Sequence, residues 1–380
     1  MDRRFALRGL AVASLICAGT VVAQAQTVQI GVTLSTTGPA ASLGIAEKNT
    51  TSLLPKTLGG LPVNYIVLDD ATEPSQAAKN TRRFVDAEKV DAIIGSSTVP
   101  TSLAITDVAG ENKTPVIPLA PFTPKQIEWV FPLPHSVSVM AAPLFENMAS
   151  KGIKTLGFIG FADAYGEAWL QDIKKAADAN GIKLAAVERY GRTDQSVTAQ
   201  ALKLVQSNPQ AIVIAASGTP GALPMRTLRE RGFKGQIYQT HGVANNDFLR
   251  VAGASDEGMI LPTGPMLVPE QLPADHPSKA VATEYVKTYE AKFGAGSRSP
   301  FGAYLYDAYL VLDKAVAIAA QKAKPGTEQF RVALRDAIEA TKGLPVTHGV
   351  VNMSATDHSG LGKESRVLIT PEKGAWKLVK

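Results

Sequence analysis

Short apolar runs alternate with polar, helix-forming stretches from Val28 to beyond residue 320. The apolar runs predict strands at Val28–Leu34, Val63–Leu68, Ala92–Gly95, Val116–Leu119, Thr155–Phe161, Leu184–Arg189, Ala211–Ala216, Gln236–Gln239 and Met259–Leu261. The stretches between them predict helices at Gln76–Lys89, Ser102–Gly110, Met140–Lys151, Glu167–Asn180, Val197–Gln206 and Ala222–Arg231. The segment Val28 to Gly44 adds a strand, a glycine-bearing loop and the start of a further helix. This order yields right-handed βαβ units and a parallel sheet. Runs such as FIGF and AIVIAA are apolar throughout, as strands covered by helices on both faces must be.

The alternation pauses at Phe131–Val139 and at the proline-rich stretch Pro262–Pro277. Both are expected to be crossings between two lobes. Helices then follow at about Ser278–Phe293, Ser299–Gln321 and Glu328–Thr341, and a β-rich tail closes the chain. The expected fold is therefore α/β, with two Rossmann-like lobes on parallel central sheets joined by a three-strand hinge. The expected division is 26–138 plus 267–345 for one lobe and 139–266 plus 346–380 for the other. Ligands of such sheets bind beyond the carboxyl ends of the strands, which places the site between the lobes.

The N-terminus changes where this fold should work. Arg3, Arg4 and Arg8 precede an apolar core from Leu10 to Val22, and Ala23-Gln24-Ala25 offers a cleavage site. Residues 1–25 thus read as an export signal cleaved after Ala25, which predicts a periplasmic protein. The single cysteine, Cys17, lies inside that signal, so the mature chain has no disulfide, thiol nucleophile or thiolate metal site. Cleavage lowers the net charge from +5 to about +3, with the charges dispersed, which argues against a nucleic-acid partner.

No hydrolase or metalloprotease motif is present, and no metal or cofactor is expected. His348 and His358, in the turn-rich tail, read as solvated. What remains is a set of strand-end loops. Gly95–Ala104 enters a helix whose first N–H groups suit a carboxylate, or need only Thr101 or Ser102 as a cap. Leu119–Pro124 carries Ala120 and Phe122, Phe161–Trp169 carries Tyr165, Ala216–Ala222 carries Thr219, and Gln239–Asp247 carries His241.

The stretches IGVTLSTTGPAASLG, IIGSSTVPTSLA, FADAYGEAW, LRERGFKGQIYQTHGVANNDF and FGAYLYDA resemble the periplasmic solute-binding proteins of branched-chain amino acid-type ABC transporters, the type I binding-protein fold. The resemblance implies a monomer that closes about a hinge on a small molecule and delivers it to a membrane permease and its ATPase. It implies ligand contacts near Thr98, Val99, Ser102 and Ala120, a cleft-lining Tyr165, and Phe301 as an apolar wall. Two positions depart from the amino acid binders. Val99 stands where a carboxylate-binding serine is usual, and His241 where an acid pairs with the ligand's ammonium. A buried ammonium needs a charge partner, so a carboxylate without an amine is expected, and Phe122, Tyr165 and Phe301 favour an aromatic one. Asp163 remains an alternative ammonium partner. The competing expectations are amino acid import, a periplasmic sensor subunit, and an exported hydrolase built on His241.

Overall fold

The structure, a computed structural model, describes residues 26–125 and 127–379. The expected export signal lies outside these residues. The first sheet holds β1 (Val28–Leu34), β2 (Thr57–Leu58), β3 (Leu61–Asp69), β4 (Ala92–Ile94) and β5 (Val116–Ile117), in the order β2-β3-β1-β4-β5. Only the β2–β3 pair is antiparallel. The connecting helices are α1 (Ala41–Thr51), α2 (Pro74–Asp86) and α3 (Val99–Glu111). Strand β1 is apolar and almost wholly buried because helices cover both its faces.

The chain then crosses through Phe131–Ser136 into α4 (Val137–Ser150). The second sheet is β6 (Thr155–Phe161), β7 (Lys183–Tyr190), β8 (Ala211–Ala215) and β9 (Gln236–Gln239), all parallel, in the order β7-β6-β8-β9. Helices α5 (Ala164–Ala179), α6 (Thr198–Gln206) and α7 (Ala222–Glu230) connect these strands, and a short α8 (Asn246–Ala252) follows β9. The second crossing begins with β10 (Leu261–Thr263). Helices α9 (Lys279–Phe293), α10 (Pro300–Ala319) and α11 (Glu328–Glu339) come next. Then come the hairpin β11 (Leu344–Val346) and β12 (Gly349–Val351), and last β13 (Val367–Glu372) and β14 (Ala375–Leu378).

Several helices begin a turn earlier than their apolar period suggests. Thr98, Ser136 and Asp163 cap α3, α4 and α5 with their side-chain oxygens, and Pro74 and Pro100 sit in first turns. A first turn built from caps and prolines carries no apolar stripe. The short α8, capped by Asn245, was not anticipated for the same reason.

Val346, Val351, Met353 and Leu361 pack in the core around the first sheet, whereas Ile369 and Trp376 join the core around the second. The return to the second lobe therefore falls after Leu361 rather than at residue 346. Two tail histidines differ from expectation as well. His348 is fully buried, with Nδ1 2.8 Å from Asp307 Oδ2. His358 is 4% exposed, stacks on Phe131 at 4.3 Å, and pairs with Glu339 at 3.0 Å. Neither is a solvated turn residue, because the tail folds back over the first lobe.

The crossings touch one another. A Cβ on Gly264 would lie 2.4 Å from His348 Cδ2 and 3.1 Å from His135 Cε1, so only glycine allows this approach. His135 Nε2 lies 2.8 Å from the carbonyl of Ser365, which can only accept, so Nε2 carries the proton. Nδ1 then accepts from the Tyr304 hydroxyl at 2.9 Å. The Tyr304 ring stacks on His348 at 3.7 Å.

Candidate functional site

A narrow cavity lies between the two sheets, within a space of about 350 Å³ that includes open solvent. The first lobe contributes Leu43 from α1, Ser97, Thr98 and Val99 at the start of α3, and Leu119, Ala120 and Pro121 after β5. The second contributes Tyr165, Arg192, Ser217, His241 and Gly242, each just past the carboxyl end of its strand. Pro134 from the first crossing and Phe301 and Tyr304 from α10 complete the wall.

Six of the residues singled out in the sequence line this cavity: Thr98, Val99, Ala120, Tyr165, His241 and Phe301. Three do not. Ser102 lies one turn inside α3, fully buried, and donates to the carbonyl of Ser96 at 2.9 Å. Phe122 packs against the apolar clusters behind the loop. Thr219 begins the turn Thr219–Gly221, and Ser217, two residues earlier, takes the place at the wall. Neither Thr101 nor Ser102 is the cap of α3; that role falls to Thr98.

Asp163 is committed elsewhere. It caps α5 through Tyr165 N–H (2.9 Å) and accepts from Arg192 Nε at 2.6 Å. Arg192 was missed because it follows an edge strand, β7, whose burial is only partial. Its position just beyond a strand end is the signal that would have found it. Its guanidinium lies 4.2 Å from the centroid of the Phe161 ring, and Nη1 donates to Ser217 Oγ at 2.9 Å. No Asp or Glu lines the cavity among the described residues.

His241 is 4% exposed, and neither ring nitrogen has a hydrogen-bond partner among the described residues. Burial, aided by His348, pushes its pKa down to about 3, so the imidazole is neutral. Beside it the Tyr165 hydroxyl donates to Thr240 Oγ1 at 2.8 Å, which donates to the Ala216 carbonyl at 2.7 Å. This chain of bonds leaves the Tyr165 ring fixed against the cavity.

Beneath the first-lobe wall lie two buried carboxyls. Asp70 accepts from Ser96 Oγ (2.5 Å), Ser35 Oγ (2.7 Å), Thr33 Oγ1 (3.1 Å) and Thr72 N–H (3.1 Å). Glu47, on α1, is hydrogen-bonded through Oε2 to Ser97 Oγ, and its Oε1 has no partner. Burial, with the charge of Asp70, pushes the Glu47 pKa up to about 8 against the Ser97 bond.

Among the described residues, no group of three or more His, Cys, Asp or Glu could hold a metal ion. None of the described helices is long and apolar enough to cross a membrane.

Similar proteins share this architecture. An extracellular ligand-binding receptor from Rhodopseudomonas palustris is 45% identical, with a TM-score of 0.92 over 94% of this chain and all of that one. A leucine-binding protein from Thermotoga maritima shares the fold at 24% identity and a TM-score of 0.80, over 93% of this chain and 98% of that one. A leucine-, isoleucine-, valine-, threonine- and alanine-binding protein from Pseudomonas aeruginosa is 23% identical over 297 residues, 75% of this chain and 76% of its own. The family described as periplasmic binding protein matches residues 27–366, which take in both sheets and all three crossings. The chain belongs to the periplasmic binding protein family.

Proposed function

We propose that the protein is the extracytoplasmic solute-binding subunit of an ABC importer, and that it captures a small carboxylate, an aromatic one in preference to an amino acid. One observation carries the ligand assignment. The cavity presents the Arg192 guanidinium and a neutral His241, and no carboxylate lines it among the described residues. An α-ammonium buried there would face a cation and lack a counter-charge, which costs several kcal/mol (order of magnitude). A carboxylate instead meets the Val99 N–H at the start of α3 and the Ser97 hydroxyl, since Pro100 carries no N–H and the Thr101 N–H is taken by Thr98 Oγ1. Tyr165, Phe301 and Tyr304 offer flat apolar surface for a ring.

The relatives named for leucine and other amino acids favour a second reading, amino acid import. Either ligand would bind the closed arrangement of lobes better than the open one and so shift the population toward it.

A thermal-shift screen of residues 26–380 separates the readings. Stabilisation by benzoate or cinnamate and none by leucine supports the aromatic carboxylate. Stabilisation by leucine alone discards it and keeps solute capture.

A further inference from the structure

Ser97 stands between the cavity and the buried Glu47, and its hydroxyl can satisfy only one of them as a donor. Its oxygen has two lone pairs and one proton. One lone pair accepts the Ser35 N–H at 2.9 Å. If Glu47 is ionised, Ser97 gives it the proton, and a lone pair is what remains for the cavity. A ligand carboxylate would then meet oxygen against oxygen. If Glu47 is protonated, it donates to the second lone pair of Ser97. The Ser97 proton is then left free for the cavity that Ser97 lines.

We infer that Glu47 is a positioning residue that orients the Ser97 hydroxyl, so that capture of an anionic ligand is coupled to uptake of one proton. This rests on the carboxylate reading of the cleft. The proton resides on Glu47 rather than on Asp70. Asp70 has four donors to stabilise its charge, whereas Glu47 has a single partner and an unpaired buried oxygen. The charge of Asp70 raises the Glu47 pKa, so the pair bears one charge more readily than two.

The other titratable groups around Glu47 are accounted for. Lys48, next on α1, is exposed. Asp69 is held by Thr36 and Thr37. Tyr285 of α9 bonds to Thr50, and Tyr304 of α10 turns to His135. Across the cavity, Arg192 is paired with Asp163, and Tyr165 is bonded to Thr240. His241 titrates far below the range in question.

The test is titration calorimetry with benzoate from pH 6.5 to 9.5, on the wild type and on Glu47→Gln. Benzoate stays ionised throughout, and the Gln amide donates permanently to Ser97. The wild-type affinity is expected to be flat below about pH 7 and to fall up to tenfold per unit above about pH 8. Glu47→Gln should bind with an affinity that does not change over this range. Wild-type titrations at pH 8 in two buffers of different ionisation enthalpy should show uptake of about half a proton per ligand. That readout does not depend on any variant folding. A flat wild-type profile, an unchanged slope in Glu47→Gln, or no proton uptake overturns the inference while leaving carboxylate binding intact. Absence of binding by any aromatic carboxylate at pH 6.5 instead overturns the reading of the cleft, and this inference falls with it.

Discussion

Replacing His241 with glutamine should remove part of the protein's sensitivity to acid. In the folded chain this imidazole is buried, and its pKa is pushed down to about 3 from 6.5. The unfolded chain protonates it near 6.5, so below that pH the unfolded state binds a proton that the folded state refuses. The stability that depends on neutral His241 is therefore present above pH 6.5 and is lost as pH falls toward 3. Each unit in that window is worth about 1.4 kcal/mol. Between pH 7.5 and pH 5.0 the wild type should lose about 2 kcal/mol more than His241→Gln. Urea unfolding of both proteins at the two pH values measures it. Trp169 is a suitable fluorescent reporter, since its ring lies 5.9 Å from His241. His135 is also buried with a lowered pKa, mainly through burial and His348; the smaller part due to His241 is removed with it and adds to the difference in the same direction. Equal losses in the two proteins would mean that His241 is solvated or already charged, and the argument from its orphaned nitrogens would collapse.

Three further outcomes are expected. Arg192→Met leaves Asp163 without its cation and should weaken benzoate binding by about 2 kcal/mol or more in titration calorimetry; unchanged affinity would remove Arg192 from the site. Gly218→Ala adds a methyl 3.0 Å from Ser42 Oγ and 3.1 Å from Leu43 Cδ1, at φ +66°. It should hold the lobes apart, seen as a larger radius of gyration by X-ray scattering under saturating ligand. Asp307→Ala strips the Thr347 and His348 donors of their acceptor and should cost about 3–5 kcal/mol in denaturant unfolding.

Strands such as β1 and β6 were legible to the residue because a largely apolar run bounded by turn formers leaves one register. Helix starts were less so, since Thr98, Ser136 and Asp163 act through hydrogen bonds that periodicity does not see. The loops lining the cavity were found by their place after strands. Within them the rank of each residue was not, as Ser97 over Ser102 and Ser217 over Thr219 illustrate. Which serine faces inward depends on where the helix begins. Arg192 lay hidden after an edge strand. His348 and His358 misled because local composition says nothing of partners far along the chain: Asp307 for His348, and Val130, more than two hundred residues away, for His358.

The approach of Gly218 to Ser42 and Leu43 has a kinetic consequence. When the lobes are closed at this edge, an occupant cannot diffuse out past these side chains; it must wait for the lobes to part. The rate of departure then has a ceiling, the opening rate, however weak the contacts inside. Entry meets only the open form. Two ligands of different affinity would share this ceiling, and their residence times would converge as binding weakens. Stopped-flow release would reveal it as a limiting rate common to every weak ligand.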